Sequence, residues 1–99
     1  SELAAQRAAG WQPLLIDVRE PHEREIGLIP DSTLIPVGEL PARMHELDTS
    51  QDIVLYCRSG VRSARALEQL RAAGFGKLKN LTGGILAWSD EVDPTVPKY

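Results

Sequence analysis

The chain has 99 residues, of which 42% are hydrophobic and 25% charged, the size and composition of one folded domain rather than of a disordered chain. Its net charge of -3 argues against a general nucleic-acid binder, which carries a basic surplus. No apolar run approaches the roughly 18 residues of a membrane span, no secretory signal opens the chain, and one cysteine, unable to form an internal disulfide, fits a reducing, cytoplasmic compartment.

Leu3 to Ala9 reads as a short helix with Ser1 as its cap, broken at Gly10 to Pro13. Leu14-Leu15-Ile16-Asp17-Val18 is a nearly continuous apolar run, the pattern of a strand covered on both faces. Pro21 suits the first turn of a helix reaching Ile26. Thr33-Leu34-Ile35 is a second strand, Glu39 to Leu47 a second helix with Pro41 near its start, and Asp48 to Asp52 a polar loop. The strand Ile53 to Tyr56 follows, then a helix from about Ser63 to Ala73 whose apolar stripe is Ala66, Leu67, Leu70 and Ala73, ended by Gly74. Leu78 to Leu81 is a further strand, Gly83-Gly84 a turn and Ile85 to Asp90 a short helix, and the tail from Asp93 to Tyr99, with two prolines, is extended. This alternation predicts an α/β domain over residues 1–99, a parallel sheet with helices on both faces. The start at Ser1 fits either a processed product or a piece of a longer chain.

The only cysteine stands one residue past a predicted strand, in the stretch Cys57-Arg58-Ser59-Gly60-Val61-Arg62 that leads into a helix. Parallel sheets place function at the carboxyl ends of their strands. A loop opening into a helix can converge backbone N–H groups on one point, aided by the positive end of the helix. Gly60 permits a tight turn, Ser59 adds a hydroxyl, and Arg58 and Arg62 add permanent charge. Each favours an anion at the loop centre and makes a thiol there more acidic. Residues 57 to 71 carry Arg58, Arg62, Arg65 and Arg71 against Glu68 alone, a cationic patch in an acidic chain that points to a small anionic substrate or an acidic partner.

The segment "CRSGVRSARAL", with "LIDVREPHE" before it and "LTGGILAW" after it, resembles the rhodanese-like sulfurtransferase domains over roughly residues 1 to 90. The ending "EVDPTVPKY" is similar to the rhodanese domains fused to ubiquitin-activating-type adenylyltransferases of molybdopterin and thiamin biosynthesis. The resemblance implies a small parallel sheet of about five strands. It also implies a persulfide on Cys57 as the catalytic species, with Arg58, Ser59, Gly60, Val61 and Arg62 as the substrate-binding loop. The implied donor is thiosulfate or a cysteine desulfurase persulfide. The implied acceptor is a thiophile or the activated carboxyl terminus of a ubiquitin-like sulfur carrier, with an adenylyltransferase domain as partner. The sequence departs from the family where many members read Gly-His-Ile-Pro-Gly-Ala: here stand Gly27-Leu28-Ile29-Pro30-Asp31-Ser32.

Four residues separate Cys57 from Arg62, one fewer than in the phosphatases of this fold, so the cradle suits one sulfur atom better than a tetrahedral phosphate. A phosphatase or arsenate reductase is one rival reading, and a non-catalytic interaction module is the other. Arg62 either orients the loop or substrate or forms a surface salt bridge. Arg58 is an anion contact or a solvated charge, while Arg65 and Arg71 belong to an exposed helix face or a partner contact. Asp17, Arg19 and Glu20, at a strand end, read best as a structural ion-pair cluster, and Trp11 and Trp88 as core or shielding residues. His22 and His45 have no metal-ligand spacing with Cys57, so no metal or other cofactor is expected.

Overall fold

The apolar runs that open and centre the chain become adjacent strands. A computed structural model describes residues 8–10, 13–81, 83–92 and 95. Its elements are β1 (Leu14–Asp17), α1 (Pro21–Ile26), β2 (Ser32–Leu34), α2 (Leu40–Arg43) continued by a 3-10 turn (Met44–Glu46), β3 (Ile53–Tyr56), α3 (Val61–Ala72), β4 (Leu78–Asn80) and α4 (Gly84–Glu91). Most of the predicted helix Leu3 to Ala9, together with Trp11 and nearly all of the tail from Asp93, lies outside the described residues.

The sheet is parallel throughout, in the order β2-β1-β3-β4. Among the described residues it has four strands, where the family resemblance implied about five; the four are those the apolar runs identified. The chain steps from β1 to β2 in one direction and from β3 to β4 in the other. The switch point therefore falls between β1 and β3, the place where open parallel sheets form a crevice at their carboxyl edge.

Alternation along the strands divides the core. Ile16, Ile53 and Leu55 pack on one face with Leu40 of α2 and Ala66, Leu67 and Leu70 of α3. Leu15, Val54 and Tyr56 pack on the other with Ile29 and with Ile85 and Trp88 of α4. Each fully buried Val, Leu or Ile side chain among these contributes about 1.5–3 kcal/mol relative to exposure. Helices thus cover both faces, and Trp88 is a core residue as expected.

Several boundaries differ from expectation for local reasons. Val18 and Ile35 lie just past their paired stretches, though both are buried and donate N–H bonds to neighbouring strand carbonyls, at 3.0 Å to Tyr56 and 2.9 Å to Asp17. The second helix divides because Leu47 N–H bonds Met44 at 3.0 Å, closing a 3-10 turn in place of further α-helix. Ala73 is exposed rather than part of the apolar stripe. It lies beyond the last turn of α3, where Gly74 (φ +100°) sends its N–H to Arg71 and Phe75 sends its own to Leu70, both at 3.1 Å, as in a Schellman stop. No helix among the described residues is long and apolar enough to cross a membrane.

Candidate active site

Cys57 follows β3 directly and is 1% exposed. Three elements build its surroundings. Gly60 adopts the left-handed conformation (φ +108°) and caps α3, which therefore begins at Val61, two residues earlier than the sequence indicated. That early start puts Ser63 in the first turn, facing the sulfur: its Oγ lies 3.5 Å from Cys57 Sγ. Gly60 N–H donates to the sulfur at 3.1 Å.

The N-terminus of α4 supports the loop from behind. Ile85 N–H donates to the Cys57 carbonyl at 2.9 Å and Leu86 N–H to the Arg58 carbonyl at 3.2 Å. In a trans peptide the carbonyl and the following N–H point in opposite directions. Drawing these two carbonyls toward α4 thus turns the N–H groups of Arg58 and Ser59 the other way. The approach is close enough that a Cβ on Gly84 (φ +56°) would strike the carbonyl oxygens of both Cys57 and Arg58. Gly84 is a site-building residue, although in the sequence it marks only a turn.

The electrostatics of Cys57 oppose two effects. Burial disfavours the charged sulfur, while the Ser63 hydroxyl, when its proton turns to the sulfur, and the backbone N–H groups of Ser63, Gly60 and Ser59 favour it; the hydrogen bonds prevail, and the thiol is more acidic than usual.

The remaining predicted site residues divide. Gly60 shapes the loop. Ser59 contributes its backbone N–H to the sulfur, and its side chain is exposed, as is that of Arg58. Val61, 71% exposed, stands at the rim. Arg62 is engaged elsewhere: its Nη1 and Nη2 grip Glu23 Oε1 and Oε2 of α1 at 2.6 and 2.8 Å. This salt bridge is not a surface pair, since Glu23 is only 4% exposed. Arg62 holds Glu23 well below the ordinary carboxylate range, at about 2, and Glu23 in turn raises the affinity of Arg62 for its proton. Glu23 Oε1 also accepts the Glu20 N–H at 2.8 Å, fixing the start of α1. Glu23 therefore links α1 to the first turn of α3. The sequence carried a sign of it, an acidic residue three positions beyond the residue that precedes Pro21, but not of its partner 39 residues away.

Asp17 and Arg19 form the expected structural cluster, both fully buried, with Arg19 Nη2 at 2.8 Å from Asp17 Oδ2 and at 2.7 Å from the Gly27 carbonyl. Arg19 also lies over the Tyr56 ring, 5.5 Å from its centroid. Glu20 itself is exposed and caps α1. The departing segment 27–32 serves this cluster. Asp31 takes the left-handed conformation (φ +65°) that a glycine favours and an aspartate tolerates, and the Ser32 hydroxyl meets Tyr56 Oη at 2.9 Å.

Comparison with known proteins agrees with this architecture. The profile of the Rhodanese-like domain family matches residues 1–91. A sulfurtransferase of Allochromatium vinosum is 43% identical over 97 residues, covering 97% of this chain and 91% of its own length. The adenylyltransferase and sulfurtransferase MOCS3 of Arabidopsis thaliana is 35% identical over 104 residues, spanning 89% of this chain but only 22% of that longer protein. A crystal structure of a rhodanese-like domain protein from Staphylococcus aureus has a TM-score of 0.85 at 31% identity, covering 99% of this chain and 92% of that one. A match over so much of the chain means that it belongs to the rhodanese-like domain family.

Proposed function

We propose that Cys57 carries sulfane sulfur as a persulfide, with the chain acting as one sulfurtransferase domain. The Cys57 thiolate attacks the outer sulfur of an anionic donor such as thiosulfate. A new S–S bond forms, the donor S–S bond breaks, and sulfite leaves with the electron pair. A persulfide donor of the cysteine desulfurase kind delivers sulfur in the same way, its thiolate leaving. The terminal sulfur, now negative, faces the N–H groups of the loop and the N-terminus of α3. A thiophilic nucleophile such as cyanide then takes that sulfur and returns the Cys57 thiolate.

The observation that carries this reading is the Gly60 N–H donated to Cys57 Sγ at 3.1 Å, in a loop whose carbonyls are drawn off by α4. The exposure of Arg58 and Val61 at the rim supports them as donor contacts, while the bond from Arg62 to Glu23 supports a role through the shape and potential of the loop. The four-residue spacing from Cys57 to Arg62 supports sulfur over phosphate as cargo, and negligible turnover of an aryl phosphate is expected.

Kinship with an adenylyltransferase and sulfurtransferase supports one acceptor in particular, the adenylated carboxyl terminus of a ubiquitin-like sulfur carrier. The Cys57 persulfide would attack that carbonyl and expel AMP, giving an acyl disulfide. This chain has no second cysteine, so release of the thiocarboxylate needs a thiol from another domain, another protein or solution.

The deciding experiment is intact mass spectrometry after thiosulfate treatment. A gain of one sulfur atom, reversed by cyanide with release of thiocyanate, is the expected result. An unchanged mass with thiosulfate and with a persulfide donor alike would leave the interaction-module reading in its place.

A further inference from the structure

Cys57, Ser63, Asn80 and Gly60 close a ring of hydrogen bonds. Gly60 N–H donates to Cys57 Sγ at 3.1 Å, and Ser63 Oγ lies 3.5 Å from the same sulfur. Ser63 O–H donates to Asn80 Oδ1 at 2.5 Å, and Asn80 Nδ2 donates to the Gly60 carbonyl at 3.2 Å. Asn80, the last residue of β4, thus touches both ends of the cradle without touching the sulfur.

The proton directions in this ring follow from what each group can do. A backbone carbonyl only accepts, so Asn80 turns its amide nitrogen to Gly60 and its oxygen to Ser63. That oxygen also only accepts, so the single hydroxyl proton of Ser63 faces Asn80. Ser63 then presents a lone pair to Cys57. A lone pair suits a thiol, which donates S–H, and opposes a thiolate, which accepts.

We propose that Asn80 is a positioning residue that holds the Ser63 hydroxyl proton away from Cys57, so that Ser63 stabilises the thiolate only when this hydroxyl swings from Asn80 to the sulfur. The inference rests on the reading of Cys57 as the sulfur-carrying thiol and adds the side chain that controls its ionisation. In the resting domain Ser63 accepts from the thiol. Once the thiolate forms, Ser63 joins the backbone N–H groups as a donor, at the expense of its bond to Asn80.

The surrounding charges act outside this ring. Arg58 follows Cys57 in the loop and Lys79 precedes Asn80 on β4, both exposed. Arg62 of α3, held by Glu23 of α1, couples electrostatically to Cys57 and to Asp17 of β1. The first turn of α4 meets the loop through backbone N–H groups. None of these charges changes when Asn80 or Ser63 is replaced, so they set a common baseline.

The test is the rate of iodoacetamide alkylation of the 99-residue chain as a function of pH, which reports ionisation of Cys57 whether or not the domain transfers sulfur. Failure here is therefore distinct from failure of the persulfide reading. Asn80→Ala is expected to lower the alkylation midpoint by about one pH unit, tenfold in acidity, by releasing the hydroxyl to the sulfur. In a Ser63→Ala background the same Asn80→Ala change should shift nothing. An unchanged or raised midpoint in Asn80→Ala, or an equal drop without the Ser63 hydroxyl, overturns the proposal. A second measurement needs no change at Asn80. In the parent chain the carbon-13 shift of the Asn80 carboxamide should titrate with Cys57, and Ser63→Ala should abolish that titration; a flat shift in the parent overturns the proposal equally.

Discussion

Around Asp17, at the end of β1, polar groups answer one another side chain to side chain. Its carboxylate takes Arg19 Nε at 2.9 Å and Arg19 Nη2 at 2.8 Å, Arg24 at 3.3 Å and the Tyr56 hydroxyl at 3.2 Å. One strand over, at the end of β3, Cys57 meets backbone N–H groups and one hydroxyl instead. The first cluster matches charge with opposite charge, and its carboxylate oxygens are saturated with donors. The second turns backbone N–H groups toward a single sulfur, with no cationic side chain bonded to it among the described residues. Two neighbouring strand ends thus differ in kind: one binds a buried ion pair into the fold, while the other turns a cradle of amides toward a single sulfur.

The strongest way to separate the two regions is to remove each centre. Cys57→Ser should abolish conversion of thiosulfate and cyanide to thiocyanate, because an oxygen nucleophile cannot carry a persulfide. The nearly isosteric swap should leave the melting curve close to the parent's, and retained thiocyanate formation would refute the persulfide route. Asp17→Ala should do the reverse. It leaves Arg19, 0% exposed, as a buried charge without its carboxylate, at a cost of about 3–5 kcal/mol in chemical denaturation. A loss below about 1 kcal/mol would show that the cluster relaxes or admits water.

The Glu23–Arg62 pair lies between the two regions and sharpens the contrast through pH. The folded-state pKa of Glu23 is depressed to about 2, chiefly by its hydrogen bonds from Arg62. A depressed carboxylate contributes stability that is complete above its unfolded value, about 4.3, and is lost as pH falls from there through about 2. With Arg62 33% exposed, so that solvent screens part of the pair, the loss should be about 2–3 kcal/mol. Glu23→Gln should flatten that acid limb in urea titrations at successive pH values. An acid limb as steep as the parent's would assign it to other carboxylates.

How far the sequence carried the fold can be judged from these same residues. β1 and β3 were legible because residues buried on both faces leave near-continuous apolar runs, and the end of α3 because Gly74 marks its stop. The start of α3 was not, since Gly60 in the left-handed conformation lets a helix begin without a side-chain cap; the pattern opens the helix at Ser63, which in the fold lies in its first turn against the sulfur. Cys57, Gly60 and the loop between them were visible as a motif. Glu23, Asn80 and the close approach of Gly84 were not, because each acts through a partner that only the folded sheet brings near: Arg62 for Glu23, Ser63 for Asn80, and the Cys57 and Arg58 carbonyls for Gly84.

The smallest effect tests whether the two regions are independent despite adjacency in the chain. Tyr56 precedes Cys57 directly, yet pleating sends them to opposite faces: Tyr56 packs with Leu15, Ile29 and Trp88, and Cys57 with Leu55 and Ala66. The Tyr56 hydroxyl is a junction of the Asp17 cluster, donating to Asp17 Oδ2 at 3.2 Å and accepting the Ile29 N–H at 3.2 Å. Tyr56→Phe keeps the ring and leaves that buried N–H without its acceptor, which should cost about 1–2 kcal/mol in chemical denaturation. The alkylation midpoint of Cys57 should stay where it is, because none of the hydrogen bonds to its sulfur involves Tyr56. A shifted midpoint would mean that the strand transmits changes in the buried cluster to the cradle, and the two ends would have to be treated as one site.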